Sequence, residues 1–271
     1  MLRLCKLLPT YSLDSAILDW IILGRFTGAR RSEWCQDGPA IEMTEPNFAH
    51  ETPEPRAFIF EDFEFFDSDG KRIYTVSAAH VDVVEFVKIR WRFQKNNDNG
   101  QVIPYKRDRA RPDVCPVSAA LRIILRASAL GLPLSLPLAV YSASSSTSPY
   151  RHIRASQVVD LLRRSAQSVF GLKSNDKLLL KWTCHSIRVT AANILHRAGM
   201  SDSYIQTRLR WKSNTFLMYL RNTFYSADRH TKTLNISNSN IPNLSTSDGL
   251  RYRPLETHEA FISKHFPAQA A

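Results

Sequence analysis

The stretch CHSIRVTAANILHRAGMSDSYIQTRLRWKSNTFLMYLR, residues 184–221, decides how the rest of the chain is interpreted. Its first half has apolar residues at helical spacing between a capping residue type, Thr183, and a stop, Gly199. We therefore predict a helix between these two positions. His185 and Arg188 are three residues apart and fall on one face of that helix.

Two more helices are predicted in the same stretch. Ser201 is a capping residue type and starts a helix that runs to about Arg210. Residues 212–214 form a turn by composition, and the helix that follows from Thr215 presents Tyr219. The stretch is therefore a basic, helical segment that displays a histidine, an arginine and a tyrosine.

The first helix of the chain is predicted over residues 14–26 and is ended by Gly28. Residues 29–34, ARRSEW, follow as a short second turn, so that Arg30 and Arg31 lie just beyond the helix break. A solvated basic turn would have the same sequence. A functional role for these two arginines can therefore be argued only together with residues from other parts of the chain.

Four segments predict antiparallel strands. Residues 58–66 and 73–76 flank an Asp-Gly turn, and residues 81–93 and 101–105 flank a turn with Lys95 at its tip. A solvated strand face would look the same as the basic face of this hairpin. That face consists of Lys88, Arg90 and Arg92.

The remaining segments complete an α+β fold that is mainly helical, with a small antiparallel β-sheet. Pro116 opens a helix that Gly131 ends, and a further helix spans 156–170 with Val169 among its inward residues. The predicted organisation is a connector at 1–13, one domain over 14–228 with loops at 36–56 and 131–150 (141–150 being Ser-rich), a polar linker at 229–254 and a last helix at 255–266.

Charge is unevenly distributed along the 271-residue chain, whose formal net charge is +11. Residues 86–111 and 181–221 each carry a net charge of +6, whereas residues 41–70 carry −8. Such blocks predict a polarised surface with one face suited to phosphates, although an ordinary soluble basic protein would have the same total. An RNA-binding module is disfavoured because the chain has no aromatic stacking motif.

The four cysteines lie tens of residues apart, without zinc-ligand or redox spacing, and predict free thiols in an intracellular protein. No apolar run approaches the ~20 residues that a membrane span requires. The first residues lack a signal-peptide pattern. We therefore expect the cytoplasm, or the nucleus in a eukaryote.

Cleaving a phosphodiester without a metal ion requires a side-chain nucleophile, fixed cations at the non-bridging oxygens and a proton for the leaving oxygen. Arginine suits the cationic task because its guanidinium forks onto two oxygens and stays charged. Lysine and histidine suit proton transfer. A tyrosine phenol, with an ordinary pKa of about 10, serves as nucleophile when it is assisted. The chain offers such a set in Arg30, Lys95, His185, Arg188, Trp211 and Tyr219.

These residues resemble the motifs of the tyrosine recombinases, the phage-integrase superfamily. TGARRSEW resembles the family's first box, with Arg30 and Glu33 in the places of its arginine and acidic residue. RFQKNNDNGQ resembles the β-hairpin that carries the catalytic lysine, here Lys95, and HSIR matches the His-x-x-Arg box. LRWKSNTFLMYLR resembles the closing segment, with Trp211 and Tyr219. The hairpin and the RWKS form are most similar to recombinases of eukaryotic mobile elements.

The resemblance implies an integrase-like catalytic fold and a mechanism without metal, ATP or other cofactor. Tyr219 would attack a DNA phosphate, giving a 3′-phosphotyrosyl link and a free 5′-hydroxyl. Arg30 and Arg188 would bind the non-bridging oxygens, and Lys95 would protonate the leaving 5′ oxygen. His185 would assist proton movement at the nucleophile or hydrogen-bond the phosphate. Religation to another strand would give recombination.

Four further residues have expected roles. Trp211 has only an N–H donor, so it binds a phosphate oxygen or packs but cannot act as a base. Glu33 would orient Arg30 or its helix rather than react. Tyr225 is the alternative nucleophile, because Trp211 and Tyr219 are eight residues apart, one fewer than is usual in the family. Arg210 stands where glycine is usual and is expected to add a phosphate contact.

Double-stranded DNA is the expected partner, bound by a homo-oligomer, a tetramer, that residues 255–266 would help to assemble. The resemblance covers about residues 14–225, and we expect the family's N-terminal DNA-clamping domain to be missing. Two alternatives stay open: a catalytically idle DNA-binding remnant of a mobile element, which keeps the fold, and a type IB topoisomerase-like enzyme, which shares the chemistry. The expected DNA contacts are Arg31, Lys88, Arg90, Arg92, Lys106, Arg107, Arg208, Arg210 and Lys212.

Overall fold

The computed structural model describes residues 11–35, 55–94, 98–142, 149–220 and 231–232. The chain divides into two compact units, Met1–Asn222 and Thr223–Ala271. The fold described below belongs to the first unit. The predicted linker at 229–254 (apart from 231 and 232, which are helical) and the predicted helix at 255–266 lie outside the described residues.

The described part of the first unit contains six α-helices. They are α1 (Leu13–Thr27), α2 (Arg31–Trp34), α3 (Pro116–Ala129), α4 (Ala155–Phe170), α5 (His185–Arg197) and α6 (Asp202–Leu209). Short 3₁₀ helices lie at Phe60–Asp62, Ala78–His80, Pro112–Val114, Lys177–Lys181 and Asn214–Tyr219. No described helix is both long enough and apolar enough to span a bilayer.

Local signals explain where these helices begin and end. The Ser12 side chain accepts a hydrogen bond from the Ser15 amide at the start of α1, and the Ser201 side chain does the same for the Tyr204 amide at the start of α6. α1 ends at Gly28, which has the left-handed conformation that glycine tolerates best. The helices predicted over 14–26, from Ser201 and over 156–170 are confirmed within one or two residues.

A four-stranded antiparallel sheet has the order β2-β1-β3-β4. Its strands are β1 (Phe63–Phe66), β2 (Arg72–Ile73), β3 (Phe86–Trp91) and β4 (Gln101–Lys106). β3 and β4 form the predicted hairpin, with Phe86 opposite Lys106 and Trp91 opposite Gln101. The side chains of Val87, Ile89 and Trp91 alternate into the core, as the period of two requires.

The core joins the sheet to α1, α3 and α4. Trp20 of α1 stacks on Trp34 with ring centroids 5.3 Å apart, and Phe58 links this stack to Trp91 of the sheet at 4.8 Å. α1 also packs closely against α5, because a Cβ atom on Gly24 would lie only 2.9 Å from Ile187 Cγ2. These contacts fix the C-terminal end of α1 against α5.

A second, smaller apolar cluster supports the C-terminal part of the unit. It consists of Ala191, Ala192, Ile205, Leu209 and Phe216. These residues come from α5, α6 and the 3₁₀ helix Asn214–Tyr219, so burial of Phe216 anchors the segment that carries Tyr219. The predicted helix from Thr215 is thus confirmed in position, but it is a 3₁₀ helix rather than an α-helix.

Several predictions of local structure are wrong. Residues 131–150 form no simple exposed loop: β5 (Val140–Ser142) pairs with β6 (Tyr150–His152), and Leu138 is buried. The 81–93 strand starts only at Phe86, and the strands predicted at 58–66 and 73–76 shorten to β1 and β2. Two single-residue predictions are also wrong. Val169, predicted to point inward, is exposed. Thr183, predicted to cap α5, is not the N-cap residue: Cys184 has that position, and the Thr183 amide donates to Ser186 Oγ.

Candidate active site

Glu33 is a buried carboxylate at the start of α2, only 4% exposed. Its Oε2 accepts a hydrogen bond from the Arg30 backbone N–H at 2.7 Å, as in a capping box. Its Oε1 accepts from Nη1 of Arg30 at 3.0 Å. A buried carboxylate needs such partners, and this arrangement holds the half-buried Arg30 in one direction.

Arg188 is 3% exposed and lies on the first turn of α5. Its Nη1 donates to the Gly28 carbonyl, and its Nη2 donates to the Arg210 carbonyl at 3.3 Å. The guanidinium lies 4.3 Å from the centre of the Trp211 ring. Burial, followed by the charges of Arg30 and Arg210, lowers the pKa of Arg188 to about 9, so this side chain is still a cation at neutral pH.

Arg210 follows α6 in the left-handed conformation, with φ at 58°. Its Nη1 donates to the Thr27 carbonyl at 2.9 Å, and its Nη2 donates to Glu33 Oε2 at 2.8 Å. The guanidinium stacks 3.3 Å from the centre of the Trp91 ring. Arg210 is 5% exposed, and both of its Nη atoms donate to groups within the protein.

The cluster carries excess positive charge. Arg30, Arg188 and Arg210 surround a single carboxylate, that of Glu33, which leaves a formal net charge of +2. Burial lowers the pKa of Arg210 as well. Buried charge that is not balanced is costly, and therefore a bound anion would stabilise this cluster.

A cavity of about 420 Å³ opens beside the cluster. Its walls include Arg30, Arg31, His185 and Arg188, together with small residues from α2 and α4. This volume falls in the range of ordinary ligand sites. The cavity therefore presents two buried or half-buried guanidiniums and an imidazole to whatever enters it.

Tyr219 lies in contact with two aromatic residues of the candidate set. The rings of His185 and Tyr219 meet edge to face with centroids 4.9 Å apart, and the rings of Trp211 and Tyr219 are 5.6 Å apart. Nδ2 of Asn193 donates to the Tyr219 carbonyl at 2.8 Å and to the Val189 carbonyl at 2.9 Å. These contacts hold the phenol-bearing segment against α5.

The surroundings of His185 favour the neutral form of its imidazole. Although the residue is exposed overall, its ring is partly covered, and this burial together with the Arg188 charge lowers its pKa below the ordinary value for histidine. A neutral imidazole can accept a proton. Nε1 of Trp211 is buried and has no hydrogen-bond partner among the described residues, so it is an unused donor in the same group.

Lys95 lies outside the described residues, but the structure describes both ends of its turn. Gln94 is buried, and its backbone N–H donates to Asn99 Oδ1 at 2.7 Å. Asp98 pairs with Lys212, the residue after Trp211, at 3.3 Å. The hairpin end is therefore joined to the segment that carries Trp211.

The three basic residues of the predicted hairpin face do not form one solvated patch. Arg90 and Arg92 both pair with Glu61 and Asp62: Arg90 Nη2 is 3.2 Å from Glu61 Oε1, and Arg92 Nε is 3.0 Å from Asp62 Oδ2. Lys88 is exposed, with Nζ 4.5 Å from the centre of the Phe66 ring. Carboxylates from the preceding 3₁₀ helix thus neutralise much of the face.

The remaining expected DNA contacts are distributed over the same part of the fold. Nη1 of Arg107 donates to the backbone carbonyls of Val81 and Val84, and Nη2 of Arg208 donates to the Pro104 carbonyl at 3.1 Å. Lys106 is exposed, with Nζ 5.8 Å from the Phe86 ring centre. Of the residues expected to contact DNA, only Arg31 lines the 420 Å³ cavity.

Three participants were not identified from the sequence. Asn193 positions Tyr219, Trp91 supports Arg210, and the Gly28 carbonyl orients Arg188. Asn193 did leave a signal, because it is a polar residue between the apolar positions Ala192 and Ile194 of a predicted helix. The other two act through a ring face and a main-chain atom, which leave no sequence signature.

Comparison with known proteins gives no assignment: no family model matches the chain, and no curated protein matches it. Within the described ranges, no group of three or more His, Cys, Asp or Glu side chains could hold a metal ion. The chemical interpretation of the site therefore depends on the geometry given above.

Proposed function

We propose that this protein cleaves and rejoins DNA strands through a 3′-phosphotyrosyl intermediate, on a catalytic domain with the fold of the tyrosine recombinases. One observation carries the proposal. Residues from three distant segments converge: the Tyr219 ring touches His185, which lines one cavity with the half-buried Arg30 and the buried Arg188. Double-stranded DNA is the substrate in this proposal.

Tyr219 is the nucleophile. Its phenolic oxygen bonds to phosphorus as the bond from phosphorus to the 5′ oxygen breaks, and the phenol proton passes to His185. Lys95 gives the departing 5′ oxygen a proton, so that a 5′-hydroxyl leaves. The same steps in reverse, with a different 5′-hydroxyl, rejoin the strand and free the enzyme.

Arg30 and Arg188 stabilise the charge that develops on the non-bridging oxygens. Their support comes from fixed partners: the Glu33 carboxylate for Arg30, and two main-chain carbonyls for Arg188. Donors that are already oriented cost no reorganisation during the reaction. The N–H of Trp211, buried without a partner, is suited to a third contact with the phosphate.

Covalent capture tests this proposal. The protein is incubated with a pool of nicked duplexes of randomised sequence, in which the short cleaved fragment diffuses away and traps the adduct. We expect a denaturant-resistant complex that is lost in Tyr219→Phe and kept in Tyr204→Phe, a matched change of an exposed tyrosine on α6. Absence of any adduct across the randomised pool would contradict strand transfer.

Assembly on DNA belongs to the same proposal. A homo-oligomer, a tetramer, would bring two duplexes together, and residues 255–266 are proposed to dock on a neighbouring protomer. Deleting residues 250–271 should weaken DNA-bound assembly in sedimentation experiments. If the deleted protein assembles as well as the full chain, this part of the proposal fails.

A further inference from the structure

We infer that Arg210 is a positioning residue, which sets the direction of the phosphate-binding arginines without touching the phosphate. The inference rests on the function proposed above for Arg30 and Arg188. The Arg210 guanidinium is buried within the protein, where it joins segments that are far apart in the sequence.

The first link runs through Glu33 to Arg30. Oε2 of Glu33 accepts from Nη2 of Arg210 at 2.8 Å and from the Arg30 backbone N–H at 2.7 Å, while Oε1 accepts from Arg30 Nη1. One carboxylate is therefore shared between the buried guanidinium and the one that lines the cavity. Without Arg210 the carboxylate would lose a charged partner and become free to turn, and Arg30 would turn with it.

The second link runs through the main chain to Arg188. Nη2 of Arg188 donates to the Arg210 carbonyl, and Nη1 of Arg210 donates to the Thr27 carbonyl, next to the Gly28 carbonyl that Arg188 uses. Arg210, the residue after α6, thus holds its own backbone close to the end of α1. Both acceptors of Arg188 depend on where that tie holds them.

The third link runs to the hairpin. The Arg210 guanidinium stacks 3.3 Å from the centre of the Trp91 ring, on the strand that leads into the turn of Lys95. A planar guanidinium can stack and fork at the same time, whereas a lysine ammonium can do neither. The role is therefore specific for arginine, and it should not be restored by a lysine of the same charge.

The left-handed backbone of Arg210 allows its side chain to be removed without straining the main chain. With φ at 58°, this position favours glycine, so that Arg210→Gly removes the guanidinium and relieves the backbone. Arg210→Lys keeps the charge and removes the fork. The matched control is Arg126→Lys, which alters another buried arginine paired with a carboxylate, that of Asp19, away from the cavity.

Two readouts are measured for each variant. The first is the single-turnover rate of adduct formation. DNA affinity is measured by fluorescence anisotropy on the same variants for comparison. We expect Arg210→Gly and Arg210→Lys to cleave about 10- to 100-fold more slowly, since small misplacements have effects of this size. DNA affinity should change by less than about 3-fold. The double variant Glu33→Gln/Arg210→Gly should cleave at a rate within about 3-fold of the slower single variant. The two changes break the same link, the one that runs from Arg210 through Glu33 to Arg30.

The second readout does not require cleavage. Thermal unfolding is followed with inorganic phosphate from 0 to about 20 mM at constant ionic strength, because a ligand that binds the folded state raises its stability. Wild type and Arg126→Lys should show equal phosphate-dependent shifts in Tm, even though Arg126→Lys melts at a lower temperature. Both Arg210 variants should lose at least half of that shift.

The outcomes separate this inference from the proposed function. If wild type forms no adduct, strand transfer fails, while loss of the phosphate shift in both Arg210 variants still supports the positioning role. Equal phosphate shifts in wild type and Arg210→Gly, including no shift in either, overturn it. Full recovery of both readouts in Arg210→Lys also overturns it, because charge alone would then suffice.

Discussion

Replacing Glu33 by glutamine should destabilise the protein by about 3 kcal/mol. The Glu33 carboxylate is 4% exposed and accepts three hydrogen bonds, at 2.7, 3.0 and 2.8 Å, from Arg30 and Arg210. Glutamine has the same shape, but it lacks the charge and points an N–H₂ group at a guanidinium. Breaking a buried ion pair in this way typically costs about 3–5 kcal/mol, and the half-buried position of Arg30 favours the lower end.

Urea unfolding at low ionic strength, followed by the fluorescence of the buried tryptophans, measures this loss. In a domain of roughly 200 residues, about 3 kcal/mol corresponds to a Tm lower by about 6–12 °C. The control is Glu61→Gln, which alters a 60% exposed carboxylate that also pairs with two arginines, Arg90 and Arg92. It should cost at most about 1 kcal/mol. A loss below 1 kcal/mol in Glu33→Gln would refute the view that this carboxylate holds the cluster together.

Three further predictions concern residues on or next to the helices that meet at the site. Gly28→Ala should cost about 2–4 kcal/mol in urea unfolding, because φ is 59° and the new Cβ would lie 2.9 Å from Leu209 Cδ2; a neutral result would contradict the packing described. Because the pKa of His185 lies below the ordinary histidine value, cleavage should be fully supported at pH 7 and fall only as the pH drops through that lowered pKa and the imidazole gains a proton. His185→Gln should remove this acid limb and slow cleavage about 100-fold, and an unchanged pH profile would exclude His185 as the base. Asn193→Leu removes the donor to the Tyr219 carbonyl and should slow adduct formation about 10-fold at unchanged DNA affinity; equal loss of both would indicate a general packing defect instead.

Local signals predicted where several helices begin and end. Gly28, Ser201 and Pro116 mark helix ends by mechanisms that act within one turn, and each was found where the sequence placed it. The alternation of β3 was equally informative about which side chains are buried. The α+β class therefore followed from patterns within short segments.

Long-range contacts decided what the sequence could not predict. Arg90 and Arg92 matched a solvated strand face, yet carboxylates about 30 positions earlier neutralise them. Residues 138–140 lie in a stretch rich in Pro and Ser, but they are buried because the fold covers them. No local pattern indicated that the Arg210 guanidinium is buried against Glu33 and the Trp91 ring. Whether a charged side chain is paired, and whether a side chain is buried, depends on partners that lie far away in the sequence.

The central claim is that Tyr219 becomes joined to DNA, and peptide mapping of the trapped adduct tests it most directly. The covalent complex is digested with nuclease and trypsin, and the modified peptide is sequenced by mass spectrometry. We predict a single peptide in which Tyr219 carries a nucleotide through its 3′-phosphate. Attachment at Tyr225 or at any other residue, or a link through a 5′-phosphate, would contradict the account.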